Sequence, residues 1–311
     1  MQIRRLVRTG SASFTTSLPK DWISKHNLKK GDLLYLKETE NSDIMISFKP
    51  KDVADEMKEI VIEVDNANIN TIRRKTISAY INNYNLFHFI GQTLDKKLPD
   101  IRKILHNFLA LEIQEQSSSK LTAKDFLNLE EFNIDKTIRR MDMLTRSILL
   151  DCKKTFDGEK VYDSLYYRDF EVDKLFFLIS RLIRAALVDP KKAKAYGITN
   201  VQALSMWNIA KGIERVADSV KNISKELEGM KKTNKDYQDL FNTIERYYLD
   251  TAKAFFTSDK KLADKIIADK QEVFTKIDAL LAKDKDAKMI HKLKNVTDNI
   301  KVIAKITLDF E

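Results

Sequence analysis

The spacing of apolar positions changes twice along the chain, and the changes divide it into three segments. Over residues 1–50 apolar side chains come in short alternating or β-branched runs, Arg5–Val7, Ser13–Leu18, Leu33–Lys37 and Ile44–Phe48. Four short strands are predicted there. Pro19 suits the first turn of a helix, which Lys20–His26 would complete. Gly31-Asp32 marks a turn, and Pro50 with the polar stretch after it ends the segment. Fifty residues bury little surface alone, so the unit, taken as 1–52, is expected to need a second chain.

Residues 57–130 alternate between the two periods and read as a small α/β domain. Glu59–Val64 and Leu86–Ile90 have strand spacing, and Thr71–Tyr84 places Ile72, Thr76, Ala79 and Tyr80 on one helical face. Pro99 is expected to open a second helix through Phe108, and Leu111–Gln114 resumes a strand. The segment's only glycine is Gly91, so no phosphate-cradling glycine loop is expected; packing or dimerisation is the simpler role.

From about residue 131 apolar residues recur every three or four positions, and residues 159–311 hold only three glycines and one proline. Met206, Ile209, Ile213, Val216, Val220, Ile223 and Leu227 form the clearest stripe. Such spacing suits antiparallel bundle packing. Helices are predicted near 132–156, 160–188, 200–229, 234–257, 259–283 and 287–310, with Asp189-Pro190 and Gly197 breaking the longest joint. Ile213–Ile223 aligns with Leu293–Ile303, with four identical positions. Two all-α three-helix units in tandem, 131–229 and 234–311, are the economical interpretation.

Charge adds a local signal. The net charge is +9, and residues 1–30 carry Arg4, Arg5, Arg8, Lys20, Lys25, Lys29 and Lys30 against the single acid Asp21. Arg4, Arg5, Arg8 and Lys20 are candidates for phosphate and base-edge contacts to double-stranded DNA; alternatively they only solubilise a dimerisation module. No stacking aromatics stand among them, which argues against single-stranded nucleic acid. No apolar run is long enough to span a membrane, the N-terminus lacks an apolar signal core, and Cys152 is the only cysteine. A cytoplasmic location is expected.

Two predicted helices carry carboxylates one turn apart, Asp169 with Asp173 and Glu214 with Asp218. If the helices are neighbours, four carboxylates can converge on a cation such as Fe, Mn, Zn or Mg. Equally, they are surface acids paired with Lys174 and Arg215. In the second unit Asp298 matches Asp218, but Lys294 replaces Glu214, and Val273 or Phe274 stands where Asp173 would be. A lysine among the ligands repels a cation, so any metal is confined to the first unit. His26, His88, His106 and His291 are scattered, and no Glu-x-x-His, Gly-x-Ser-x-Gly, P-loop or paired Cys-x-x-Cys occurs. Cys152, Trp22 and Trp207 read as packing residues. No catalytic set can be assembled, so an enzyme is not expected.

Two resemblances sharpen this reading. Thr9-Gly10-Ser11, Thr16-Ser17-Leu18-Pro19-Lys20-Asp21-Trp22 and Leu28-Lys29-Lys30-Gly31-Asp32 resemble the swapped-hairpin regulators of the AbrB, MazE and SpoVT group. The resemblance implies a β-barrel half completed by a second chain in a homodimer. It also implies a grip on duplex DNA through Arg4, Arg5, Arg8 and Lys20. Arg139-Arg140-Met141, Tyr167–Leu175 and Ile213–Asp218 resemble PhoU, the phosphate-uptake regulators. That likeness implies paired three-helix bundles, metal at Asp169, Asp173, Glu214 and Asp218, and control of phosphate import. A hairpin head fused to such bundles is similar to an archaeal subgroup. The expected function is a DNA-binding regulator of phosphate uptake. The alternative is a signalling adaptor that docks on the phosphate transporter or its kinase and uses the head only to dimerise.

Overall fold

The computed structural model describes residues 3–38, 43–49, 57–230, 235–283 and 287–310, and the chain divides into two units, Met1–Glu56 and Met57–Glu311. Pro50 and the expected break after it lie outside the described residues.

In the first unit β1 (Val7–Arg8) pairs antiparallel with β2 (Phe14–Thr15), and β3 (Tyr35–Glu38) pairs antiparallel with β4 (Ile44–Ser47). Helix α1 (Lys20–Lys25) lies between the two hairpins and starts directly after Pro19. The Leu28–Asp32 turn is held by Asp32, whose Oδ2 accepts from the Lys29 N–H at 2.6 Å, and Gly31 supplies a φ of 101°. The strands stop short of their sequence patterns. Each ladder has two members only, and two-stranded ribbons are marginal in water. A ring cluster packs in this unit: Trp22 meets His26 and Phe48 edge-on, and His26 stacks on Phe48 at 4.3 Å.

The second unit opens with β5 (Glu59–Glu63), α2 (Ile69–Ile81), β6 (Leu86–Ile90), α3 (Leu94–Leu105), β7 (Leu111–Gln116) and β8 (Lys120–Asp125). The strands form one sheet in the order β5-β6-β8-β7, parallel across β5–β6 and antiparallel elsewhere. Asn68 caps α2 through the Thr71 N–H. Ile62, Val64, Phe87, Phe89, Leu121 and Ala123 are buried with Ile72, Tyr80, Leu94, Ile101 and Ile104 of the two helices.

One expectation needs correction here, and one strand, β8, had not been expected. Helix α3 begins at Leu94, so Pro99 stands inside it and not at its start. Asp65 accepts from the backbone N–H groups of Gln92 and Thr93 at 3.0 and 2.8 Å, turning the chain into the helix ahead of the proline. Pro99 and Asp95, whose carbonyl loses its donor, are both exposed, so water can make the missing bond. Strand β8 carries no alternating pattern: Leu121, Thr122 and Ala123 are buried in succession because it is an inner strand.

A short 3-10 turn at Leu129–Glu131 leads into the helices α4 (Ile134–Phe156), α5 (Tyr162–Val188), α6 (Pro190–Ala195), α7 (Asn200–Glu228), α8 (Lys235–Phe256), α9 (Lys260–Lys283) and α10 (Ala287–Asp309). Asp189-Pro190 starts α6 as well as ending α5: Asp189 caps the Lys191 N–H at 2.9 Å and Pro190 takes the first helical position. A Thr199–Gln202 capping box starts α7.

Helices α4, α5 and α7 pack on one another, as do α8, α9 and α10, and one continuous core runs through both sets. Between the sets α7 and α10 run antiparallel. Lys288 and Lys292 reach Glu226 at 2.8 and 3.2 Å, while Gly212, further up α7, faces Ile303. A Cβ at Gly212 would come 2.5 Å from Ile303 Cγ1, so the missing side chain is what allows this approach. Among the described residues no helix is long and apolar enough to cross a membrane.

Candidate carboxylate centre and basic head

Asp169 and Asp173 sit one turn apart on α5, and Glu214 and Asp218 sit one turn apart on α7. The two helices are direct neighbours, so the carboxylates face a common space. That space holds a cation of the protein's own. Lys221, one turn beyond Asp218, donates from Nζ to Asp169 Oδ2 and to Asp218 Oδ1, the latter at 2.7 Å. Asn222 Nδ2 donates to the other oxygen of Asp218 at 3.2 Å. Neither Lys174 nor Arg215 plays this part: Lys174 pairs with Glu171 at 3.0 Å and lies over the Phe170 ring. The Asp169 side chain is only 5% exposed, and its Oδ1 has no hydrogen-bond partner.

Burial and mutual repulsion decide the protonation of these groups. Burial raises the Asp173 carboxyl to about 7, with the charges of Asp169 and Glu214 adding to the effect. Glu214 is raised to about 7 by burial and then by Asp218 and Asp169. Asp169 is raised by burial, although Lys221 opposes the shift. For Lys221 burial pulls downward, but its hydrogen bonds to Asp169 and Asp218 and their charges win, and its pKa rises. The ammonium therefore stays charged while two of its four neighbours hold protons readily.

A metal ion does not fit this arrangement. Two of the four expected ligands, Asp169 and Asp218, are already engaged by an ammonium group, which a hard cation would have to displace. Among the described residues no group of three or more His, Cys, Asp or Glu side chains is placed to hold a metal ion. In the second unit Asp298 shares an open cleft of about 240 Å³ with Asp218, lined also by Arg215, Ser219, Asn295 and Asn299.

The basic candidates of the head are all exposed. Arg4 and Arg5 lie in the segment before β1, Arg8 ends β1, and Lys20 begins α1. Arg8 is drawn into its own hairpin turn, donating from Nε to the Gly10 carbonyl at 3.0 Å and from a terminal nitrogen to the Ser11 carbonyl at 3.1 Å. It thereby shapes the Thr9–Ser13 turn.

Two residues carry more than the sequence suggested. The spacing Asp218-x-x-Lys221 was the available sign for Lys221, since residues three apart on a helix are neighbours. The other is Arg181 on α5, whose side chain and that of its partner Asp125 on β8 are each 2% exposed. Arg181 also donates from Nε to Asn83 at 3.0 Å and lies over the Tyr80 ring, 4.7 Å from its centroid. Helix α5 thus bears two of the four carboxylates, Asp169 and Asp173, and the arginine of the ion pair that locks the sheet layer to the bundle. The signal was an arginine inside the apolar run Leu178–Ile183. Cys152 is buried against the Val220 carbonyl, and burial pushes its thiol pKa up, so it is an inert packing residue. Trp207 donates to Ser180 at 3.1 Å and packs against the main core.

The model of the MazE family, described as antidote-toxin recognition and bacterial antitoxin, matches residues 7–56, and the model of the PhoU domain matches residues 138–227. No curated protein matches the chain, and neither does any solved structure. The PhoU match covers α4, α5 and α7 from Ile138 to Leu227, the three helices that surround the carboxylates. The chain joins an AbrB/MazE-like domain at its head to a PhoU domain in its helical part.

Proposed function

We propose that the protein is a homodimeric, DNA-binding transcriptional regulator of phosphate uptake, without catalytic activity of its own. The observation that carries this reading is the joining, in one chain, of a MazE-like head bearing Arg4, Arg5, Arg8 and Lys20 to a PhoU domain. A MazE-like domain suggests DNA binding and oligomerisation, and a PhoU domain suggests control of phosphate homeostasis.

The head's exposed apolar residues support its assembly as half of an interleaved barrel. Among residues 3–49 whose burial is described none is buried, and Leu6, Phe14, Leu33, Leu36 and Ile44 are more than half exposed. In the helical part, the alignment of Ile213–Ile223 with Leu293–Ile303 and the antiparallel crossing of α7 and α10 support a tandem repeat of three-helix units.

Binding to duplex DNA from a phosphate-transporter promoter, followed by fluorescence anisotropy across a salt series, tests the proposal. The protein should prefer that DNA to scrambled duplex by roughly a thousandfold or more. Arg5→Ala with Arg8→Ala should weaken binding and flatten the salt slope by about one unit for each removed guanidinium that had neutralised a phosphate. Weak binding without preference, unchanged by these substitutions, would refute it and leave the adaptor that docks on a transporter or kinase.

A further inference from the structure

We propose that Lys221 is a tethered cation that takes the place of a metal ion in this PhoU domain, so that the chain closes its carboxylate centre without metal, whatever the head binds. Three observations lead there. The ammonium bridges α5 and α7 by donating to Asp169 and Asp218, one carboxylate from each helix, as a bound divalent ion would. Its side chain is 12% exposed and Asp169 is 5% exposed, so the pair is enclosed and not a surface ion pair of negligible weight. Tyr166 adds an aromatic face 6.0 Å from the ammonium, a further contact suited to a cation.

The second unit supplies an independent instance. In the alignment of Ile213–Ile223 with Leu293–Ile303, Lys221 falls on Lys301. Lys301 also reaches from its unit's third helix to the second, but there its ammonium lies 5.7 Å from the Phe274 ring centroid on α9. Phe274 occupies the region where Asp173 has its counterpart. A lysine thus stands at the same position in both units. It links the same pair of helices through carboxylates in one and through an aromatic face in the other. Glu214 gives way to Lys294 and Asp173 to Val273 or Phe274, whereas Asp218 keeps an acid in Asp298 and the lysine is common to both units.

A tethered ammonium and a bound metal ion behave in opposite ways on metal loading. Purified protein dialysed against Mn²⁺, or against Fe²⁺ without oxygen, should retain no stoichiometric ion. Its Lys221 should resist reductive methylation equally with and without Mn²⁺. Lys221→Met removes the ammonium and keeps most of the aliphatic stem. That variant should melt lower than wild type at pH 7.5, bind one Mn²⁺ per chain roughly tenfold or more tighter than wild type, and regain melting temperature as Mn²⁺ is added. One Mn²⁺ per wild-type chain, lost in Asp169→Asn, would overturn the proposal. So would Mn²⁺-dependent methylation of Lys221, since metal would then displace the lysine, and so would a folded Lys221→Met variant with no gain in Mn²⁺ affinity. Should that variant fail to fold, the dialysis and methylation of the wild-type protein still decide the matter.

Discussion

Between Ile3 and Lys49 no residue whose burial is described is buried, and Trp22, His26 and Phe48 form the largest ring cluster. In the helical part, by contrast, Ile138, Met141, Ile148, Ile209, Val216, Val220, Phe241, Ile277 and Val296 are wholly enclosed in one core. Apolar residues are plentiful in both regions, so composition does not separate them. What differs is whether one chain supplies both sides of the contact. A helix places its stripe against another helix of the same chain, whereas among the described residues of the first unit the two short hairpins leave Leu6, Phe14, Leu36 and Ile44 more than half exposed. The exposed apolar residues of the head are what the proposed assembly would cover, whereas the helices supply both sides of their own core.

The largest expected effect follows directly. In calorimetry of the full chain, the transition of the head should move to higher temperature as protein concentration rises, because its stability is tied to association. The transition of residues 57–311 should stay where it is. A head that melts at one temperature over a hundredfold dilution would erase the contrast.

Arg181→Ala tests how tightly the second unit is closed. It leaves Asp125 buried without its cation and should destabilise residues 57–311 by about 3–5 kcal/mol in urea unfolding, with the head unaffected. A loss below about 1 kcal/mol would mean the pair is not enclosed as described.

The pH dependence should also separate the two regions. Asp173 and Glu214 hold their protons to about 7 in the folded protein but ionise near ordinary carboxylate values when unfolded. Between those limits the unfolded state binds fewer protons, so the stability of the helical part should fall as pH rises from about 4.5 to 7 and then level off. The groups with lowered values, such as Asp151 and Glu226, act in the opposite sense, but their gain is complete once the unfolded carboxylates have ionised. From about pH 5.5 upward the decline should dominate, and Asp173→Asn with Glu214→Gln should flatten it. A flat wild-type profile over that range would contradict the burial of the two carboxyls.

The smallest effect concerns the contact between the helical sets. Gly212→Val presses two methyl groups toward Ile303 and should cost about 1–3 kcal/mol. Pairing it with Ile303→Ala should recover part of the loss, as expected for neighbours that share one space.

The six long helices were legible in the apolar spacing almost to their ends, because an amphipathic stripe at helical period buries one face. The hairpin character of the head, the strand-helix-strand start of the middle segment and the carboxylates one turn apart on α5 and on α7 could be read in the same way. The remaining features come from contacts between segments distant in sequence. Pro99 sits within α3 because Asp65, distant in sequence, starts the helix early. Strand β8 exists because it fills the gap between β6 and β7, not because its residues alternate. Arg181 is enclosed because Asp125 and Asn83 come from the sheet layer to meet it. Above all, the charge at the carboxylate centre depends on which side chain reaches between two helices whose motifs lie some fifty residues apart. Periodicity reports which face of an element is buried; it does not report which partner that face meets, and here the partner of Asp169 is Lys221.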